Sequence, residues 1–310
     1  MSDLAQSLED YLAVRRAVGF TLKTEERMLA DFVRYAEQAG VSVVTTEIAL
    51  AWARLPAKGS AHWLARRLRM VRGFARHLNA VDPRTEIPPV DLLVGSHRRP
   101  NPHIYSDAET AALLRAADGL RPPLRAATMR ALIGLLAVSG VRVGEAIRID
   151  RGDVNWVDRT LLVHDSKNGG TRLLPLHSST IQALRDYSSV RDRLCPHSSA
   201  PRLFVSTRGT RLAHSTIYPA FRELLQTAGL EPSSPGGARR PRMHDFRHSL
   251  AVATLRDWYR DGGDVAARLP LLSAYLGHTN PAATYYYLSA APELLALAAE
   301  RVDHAFGAQP

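Results

Sequence analysis

The sequence predicts a mainly α protein in two parts. The first is an N-terminal helical bundle; the second is a mixed α+β domain, mostly helical, with a small antiparallel sheet. Three observations carry this expectation. Apolar residues recur at helical spacing from the first residues to about Asn79. A proline-bearing stretch at residues 88–102, with the basic cluster His97, Arg98 and Arg99, then interrupts the pattern. Between about residues 153 and 176 the apolar period shortens to that of strands, around the hairpin signal Asn168-Gly169-Gly170.

The first helix is marked by Leu4, Leu8, Tyr11 and Leu12 and stopped by Gly19. A second is expected over residues 21–39, with Gly40 as its C-terminal stop, and a short third over 46–54. Ser60 caps a fourth that runs to about residue 79. This fourth helix has two faces. Leu64, Leu68, Val71, Ala75 and Leu78 form an apolar stripe, while His62, Arg66, Arg69, Arg72 and Arg76 form a basic one. A stripe of arginines suits a helix lying along a phosphate backbone, although a solvated face has the same pattern. Domain bounds are expected at residues 1–95, with a linker at 96–104 and a second domain at 105–310.

In the second domain Ser106-Asp107-Ala108-Glu109 has the form of a capping box. A long apolar helix follows over about residues 124–139, stopped by Gly140. Three short strands are expected at 153–156, 160–164 and 171–176. Helices resume near Ser215, and Gly229 ends one of them. A Pro/Gly/Arg-rich loop spans 231–242, and everything beyond it reads as helical, including an amphipathic segment at 292–306 with Leu294, Leu295, Leu297 and Val302.

The chain has 310 residues, 45% hydrophobic and 23% charged, which fits globular domains with cores of their own. Its formal net charge of +10 favours a polyanionic partner, nucleic acid first among them. Cys195 is the only cysteine, which excludes an internal disulfide and a cysteine-rich zinc site. The N-terminus has no basic segment leading into an apolar run, and no apolar run is long enough to span a bilayer, so a cytoplasmic location is expected.

Candidate chemistry is spread along the second domain. Arg142 follows Gly140 at the end of the long helix, with Glu145 three residues on to orient or neutralise it. Lys167 stands at the hairpin tip and is one of only three lysines among 40 basic residues. An ammonium can give up its proton at a tunable pKa and a guanidinium effectively cannot, so a general-acid role suits it. His244 and Arg247 lie three apart and share a helix face. His244 and His248, four apart, also permit a rival reading as a zinc pair. Against that reading, Arg247 would set a fixed cation beside the metal, and Asp245 is a methylene shorter than the usual Glu. His278 follows Gly277 after an apolar helix, and Tyr285, Tyr286 and Tyr287 come soon after.

In this order and spacing the residues resemble the tyrosine recombinase (phage integrase) family. The family pattern is an Arg after a helix turn, a Lys on a β-hairpin, H-x-x-R on a helix, a Gly-His, and a Tyr nine residues past that His. The resemblance implies a catalytic set of Arg142, Lys167, His244, Arg247, His278 and Tyr287, with no cofactor and no metal. It implies an N-terminal helical (SAM-like) core-binding domain, so that both domains hold double-stranded DNA as a clamp. It also implies self-association as a tetramer in the synaptic complex, accessory directionality factors, and a C-terminal tail that docks on a neighbouring protomer. The activity implied is DNA integration, transposition or related recombination through a 3′-phosphotyrosyl intermediate. Ser139-Gly140 stands where Thr-Gly is common, and the family spacing selects Tyr287 from the three tyrosines. The alternatives are a type IB topoisomerase-like strand transferase and a zinc hydrolase using His244 and His248.

Overall fold

The computed structural model describes residues 3–56, 59–95, 101–164, 170–196, 201–232, 239–278, 280, 282–290 and 294–300. The chain divides into two compact units, residues 1–100 and 101–310. The division falls inside the expected linker, whose residues 96–100 lie outside the described set.

The first unit contains α1 (Asp3–Ala17), α2 (Lys23–Gln38), α3 (Thr46–Arg54) and α4 (Ala61–Asn79). Thr45 caps α3 and Ser60 caps α4, each side-chain oxygen accepting a backbone N–H of the first turn. Phe32, Trp52, Val71 and Phe74 are fully enclosed where the helices meet. The basic stripe of α4 is only partly as expected. His62, Arg66, Arg69 and Arg76 are exposed, but Arg72 is buried. Its Nε donates to the Pro88 carbonyl at 2.6 Å and its Nη2 to the Pro89 carbonyl at 2.5 Å. The proline stretch supplies the backbone acceptors that take up its guanidinium and leaves this arginine only 7% exposed, at the wall of the groove formed by the others. Arg67 is also internal: it stacks 3.6 Å over the Trp52 ring and donates to the Trp52 carbonyl. The exposed members line a groove of about 960 Å³ together with Arg15 and Phe20.

Among the described residues the regular structure of the second unit is helical apart from one three-stranded sheet and two isolated bridges. Its elements are α5 (Asp107–Asp118), α6 (Pro123–Ser139), the single turn α7 (Val143–Ala146), β1 (Val154–Asn155), β2 (Thr160–His164), β3 (Thr171–Pro175), α8 (Ser178–Leu194), α9 (His214–Thr227), α10 (Asp245–Arg260), α11 (Val265–Leu276) and α12 (Ala282–Ala290). Residues 294–300 are also helical. The strands pair antiparallel in the order β1-β2-β3, with His164 opposite Thr171 at the end where β2 leads into β3 and Thr160 opposite Pro175 at the other. The expected mostly helical domain with a small antiparallel sheet is therefore what forms. The capping box at Ser106 and Glu109 is present in both directions.

α8 is the element the sequence reading passed over. Its buried residues Ile181, Leu184, Tyr187 and Arg191 follow a helical period, but polar and charged residues fill the positions between. α6 is the centre of the unit, packed by α5, α8 and α10, with Leu132, Ile133, Leu135 and Leu136 shut off from solvent. A second cluster joins α10, α11 and α12, and Leu294 of the following helical stretch packs into it at 1% exposure. No helix of the described residues is long and apolar enough to cross a membrane.

Candidate active site

Arg142 is set by how α6 ends. Gly140 adopts the left-handed conformation (φ 60°), and a Cβ there would lie 2.8 Å from Leu250 Cδ2, so the position suits glycine alone. The chain turns there, buries Val141, and makes Arg142 the residue before α7. Arg142 Nη1 donates to Glu145 Oε1 at 2.6 Å, and its backbone N donates to Glu145 Oε2 at 2.9 Å. Its side chain keeps 34% exposure, whereas that of Glu145 keeps 2%.

Glu145 has a second arginine. Arg172 of β3 donates from Nη2 to Oε2 at 2.6 Å and from Nη1 to Oε1 at 3.3 Å. Burial alone would raise the Glu145 carboxyl, but Arg172 and then Arg142 outweigh it and hold it below the usual carboxylate range.

The C-terminus of α11 gathers the cations. Gly277, again left-handed (φ 67°), donates to the Ala274 carbonyl, and His278 N donates to that of Ser273, which closes a Schellman turn. Three successive carbonyls then each accept from a different arginine. Tyr275 accepts from Arg172 Nε at 3.1 Å, Leu276 from Arg247 Nη2, and Gly277 from Arg142 Nη2 at 2.8 Å. Unpaired carbonyls at a helix end carry partial negative charge, which is why guanidinium groups collect there. Arg247 is 2% exposed and donates from Nη1 to the Gly140 carbonyl at 2.8 Å. Burial, and then repulsion from Arg142, brings its pKa down to about 10, so it stays charged at neutral pH.

α10 starts on a built platform. Asp245, 1% exposed, accepts from the Arg242 backbone N at 2.8 Å and from its Nη2 at 3.0 Å. Tyr105 stacks on Phe246 at 4.2 Å and donates its hydroxyl to the Arg242 carbonyl. His244 precedes the helix and stays partly open to solvent. Its partial burial, and then Arg247 and Arg242, push its imidazole below the usual range. His248 meets His244 edge-on at 4.9 Å and Tyr287 at 5.4 Å, and among the described residues its buried Nδ1 has no hydrogen-bond partner. Among the described residues no three His, Cys, Asp or Glu side chains come together as a metal site. His244 and His248 are thus, among the described residues, a pair without a third ligand.

His278 Nδ1 hydrogen-bonds the buried Thr284 hydroxyl at 2.7 Å, and its ring stacks on Tyr287 at 6.1 Å. Burial, then Arg247 and Arg142, bring the pKa of His278 down to about 4. The three tyrosines separate cleanly. Tyr285 is 56% exposed, Tyr286 is half-buried, and Tyr287 is 2% exposed. Burial raises the Tyr287 phenol, and Arg247 and then Arg142 pull it back toward ionisation.

Five of the six sequence-selected residues, Arg142, His244, Arg247, His278 and Tyr287, therefore converge around the α11 C-terminus. Lys167 lies outside the described residues, between the ends of β2 and β3. The sequence reading missed Arg172 and Thr284, and it weighed His248 only as a metal ligand. A signal for Arg172 existed in its position: it is the first charged residue after the hairpin turn, on the strand that leaves it.

Comparison with known proteins adds four findings. Residues 106–293 match the profile of the phage integrase family. A Sinorhizobium fredii protein bearing the name integrase/recombinase y4rB is 41% identical over 310 residues, covering 98% of each chain. Among solved structures, the XerH site-specific recombinase bound to a palindromic difH substrate aligns with a TM-score of 0.65 at 17% identity, covering 92% of this chain and 78% of that one. A lambda integrase tetramer bound to a Holliday junction aligns with a TM-score of 0.60 at 20% identity, covering 90% and 78%. At such identities these two structures speak to the fold.

Proposed function

The chain belongs to the phage integrase family of tyrosine recombinases, and on that premise we propose that Tyr287 is the nucleophile with which it breaks and rejoins DNA strands. The observation that carries the assignment is the enclosure of the Tyr287 ring. It alone of the three tyrosines packs against both His248 and His278, with Arg247 acting on its phenol.

In this reading Tyr287 Oη attacks the scissile phosphorus. The Oη–P bond forms, the P–O5′ bond breaks, and a 3′-phosphotyrosyl link and a free 5′-hydroxyl result. The phenol proton passes to a neighbouring base, with His244 assisting, and the leaving 5′-oxygen takes a proton from Lys167. A 5′-hydroxyl from another strand then reverses the step. Ester bond energy is kept throughout, so no nucleotide cofactor enters. Arg142 and Arg247 supply donors to the non-bridging oxygens where negative charge grows, and His278 adds another. The prior assembly of these cations on backbone carbonyls supports this role, because their geometry needs no DNA to form.

The same premise extends to assembly. The basic groove of the first unit, with Arg66, Arg69 and Arg76, suits one face of a DNA duplex, and the second unit holds the scissile phosphate. Four protomers act together on DNA in this reading, which the lambda integrase tetramer bound to a Holliday junction supports. Accessory directionality factors belong to the same reading.

The test is covalent capture. A pool of nicked duplexes of random sequence is incubated with the protein in EDTA, and denaturant-stable adducts are recovered. Wild-type protein should yield an adduct and Tyr287→Phe none, while Tyr285→Phe and Tyr286→Phe retain it. An adduct that survives in Tyr287→Phe would move the nucleophile to one of its neighbours. If no adduct forms with any sequence, strand transfer by this chain is refuted.

A further inference from the structure

We propose that Arg172 is a positioning residue for strand cleavage: it offsets the Glu145 charge beside Arg142, and so sets the strength of Arg142 toward the scissile phosphate. The inference rests on the strand-transfer reading above.

Arg172 does not itself meet DNA. Its side chain is 12% exposed, and all three guanidinium nitrogens are engaged, Nε on the Tyr275 carbonyl and both Nη on Glu145. It also lies directly beneath Gly277, where an added Cβ would come within 2.8 Å of Nη1. Any effect on the reaction must therefore pass through Glu145 or the Gly277 turn, and both of these touch Arg142.

The charge count decides what that effect is. Arg142, Arg172 and Glu145 together carry one net positive charge. Without Arg172, Glu145 and Arg142 would form a neutral pair. The carboxylate would then draw on Arg142 alone, and Arg142, the more exposed of the two cations, would lose its surplus toward an incoming phosphate. In a site shielded from water, one unit of charge at ion-pair distance weighs far more than at a surface. One side chain of β3 thus ties that strand to the Arg142 turn and to the end of α11.

This makes a specific demand on the substrate. A methylphosphonate in place of the scissile phosphodiester has one methyl where an ionised oxygen stood, so it needs less counter-charge. Single-turnover cleavage would be followed at saturating protein, on a duplex first recovered by covalent capture with the wild-type chain. That step establishes strand transfer independently of Arg172. Arg172→Ala should slow cleavage of the phosphodiester by roughly 10- to 100-fold, the scale usual for groups that support a reactive centre from behind. On the methylphosphonate most of the gap between Arg172→Ala and wild type should close. Arg172→Lys, which restores charge without the two-pronged contact, should fall between. Equal slowing on both substrates would overturn the proposal and leave Arg172 a structural brace, and so would no slowing on either. If Arg172→Ala fails to fold, Arg172→Gln is measured in its place with the same two substrates.

Discussion

Arg247 donates Nη1 to the Gly140 carbonyl at 2.8 Å, so the helix bearing one arginine of the site is fastened to the turn that presents the other. Removing it has two consequences. Arg247→Ala should abolish measurable adduct formation. It should also destabilise the fold, because the Gly140 and Leu276 carbonyls lose a buried partner at about 1–3 kcal/mol each. Chemical denaturation of the variant checks the second effect, and an unchanged midpoint would contradict this account of the site.

Arg142 is the contrasting case. Its side chain is one-third exposed, and Glu145 keeps Arg172 when Arg142 is gone. Arg142→Ala should therefore lose about 10²–10³ in cleavage rate, the usual effect of one preorganised donor, with little loss of stability. Parallel measurement of melting and adduct formation separates the two arginines. A large drop in stability for Arg142→Ala would mean that its contacts are structural.

Stability should fall on acidification before the carboxylates titrate. His248 and His278 both have folded pKa values brought down to about 4, from an ordinary value of about 6.5. Between those limits the unfolded chain binds more protons than the folded one, so folding is favoured fully above about pH 6.5 and loses ground as pH falls toward 4. His278→Gln should flatten part of that slope. A urea midpoint constant from pH 7 to pH 4.5 would rule the mechanism out.

The arginines of α4 should divide by burial. Arg66→Ala, Arg69→Ala and Arg76→Ala should each weaken DNA binding and lower the salt dependence of log K by about one unit of slope. Arg72→Ala should leave that slope alone and lower the unfolding midpoint, since its guanidinium is spent on the Pro88 and Pro89 carbonyls. Binding isotherms at several salt concentrations decide between the two behaviours.

The uneven legibility of this molecule has physical causes. Gly140, Gly277 and the Ser106 capping box are local signals, and each element they bound formed where its pattern indicated. The family spacing singles out Tyr287 as nucleophile, and Tyr287 is the buried one of the three tyrosines. Arg72 read as exposed, and the position of Arg172 after the turn did not say what it would bond, because an arginine's fate depends on which backbone carbonyls the tertiary fold brings to it. Both were met by carbonyls distant in sequence, at Pro88 and Tyr275. α8 was hidden for a related reason: its inward face is narrow, and one of its buried positions is Arg191.

The gathering of three arginines by the carbonyls of Tyr275, Leu276 and Gly277 frees the side chains of that turn from the task. A replacement at Tyr275 reshapes the hollow between α10 and α11 without withdrawing an acceptor from any guanidinium. The strictness falls on chain length instead. One residue inserted or deleted within α11 would rotate its end by about 100°, the angle per residue of a 3.6-fold helix, and would point the three acceptors away from the cations they hold. This segment should therefore tolerate exchange of side chains at its outer positions and tolerate no change in register.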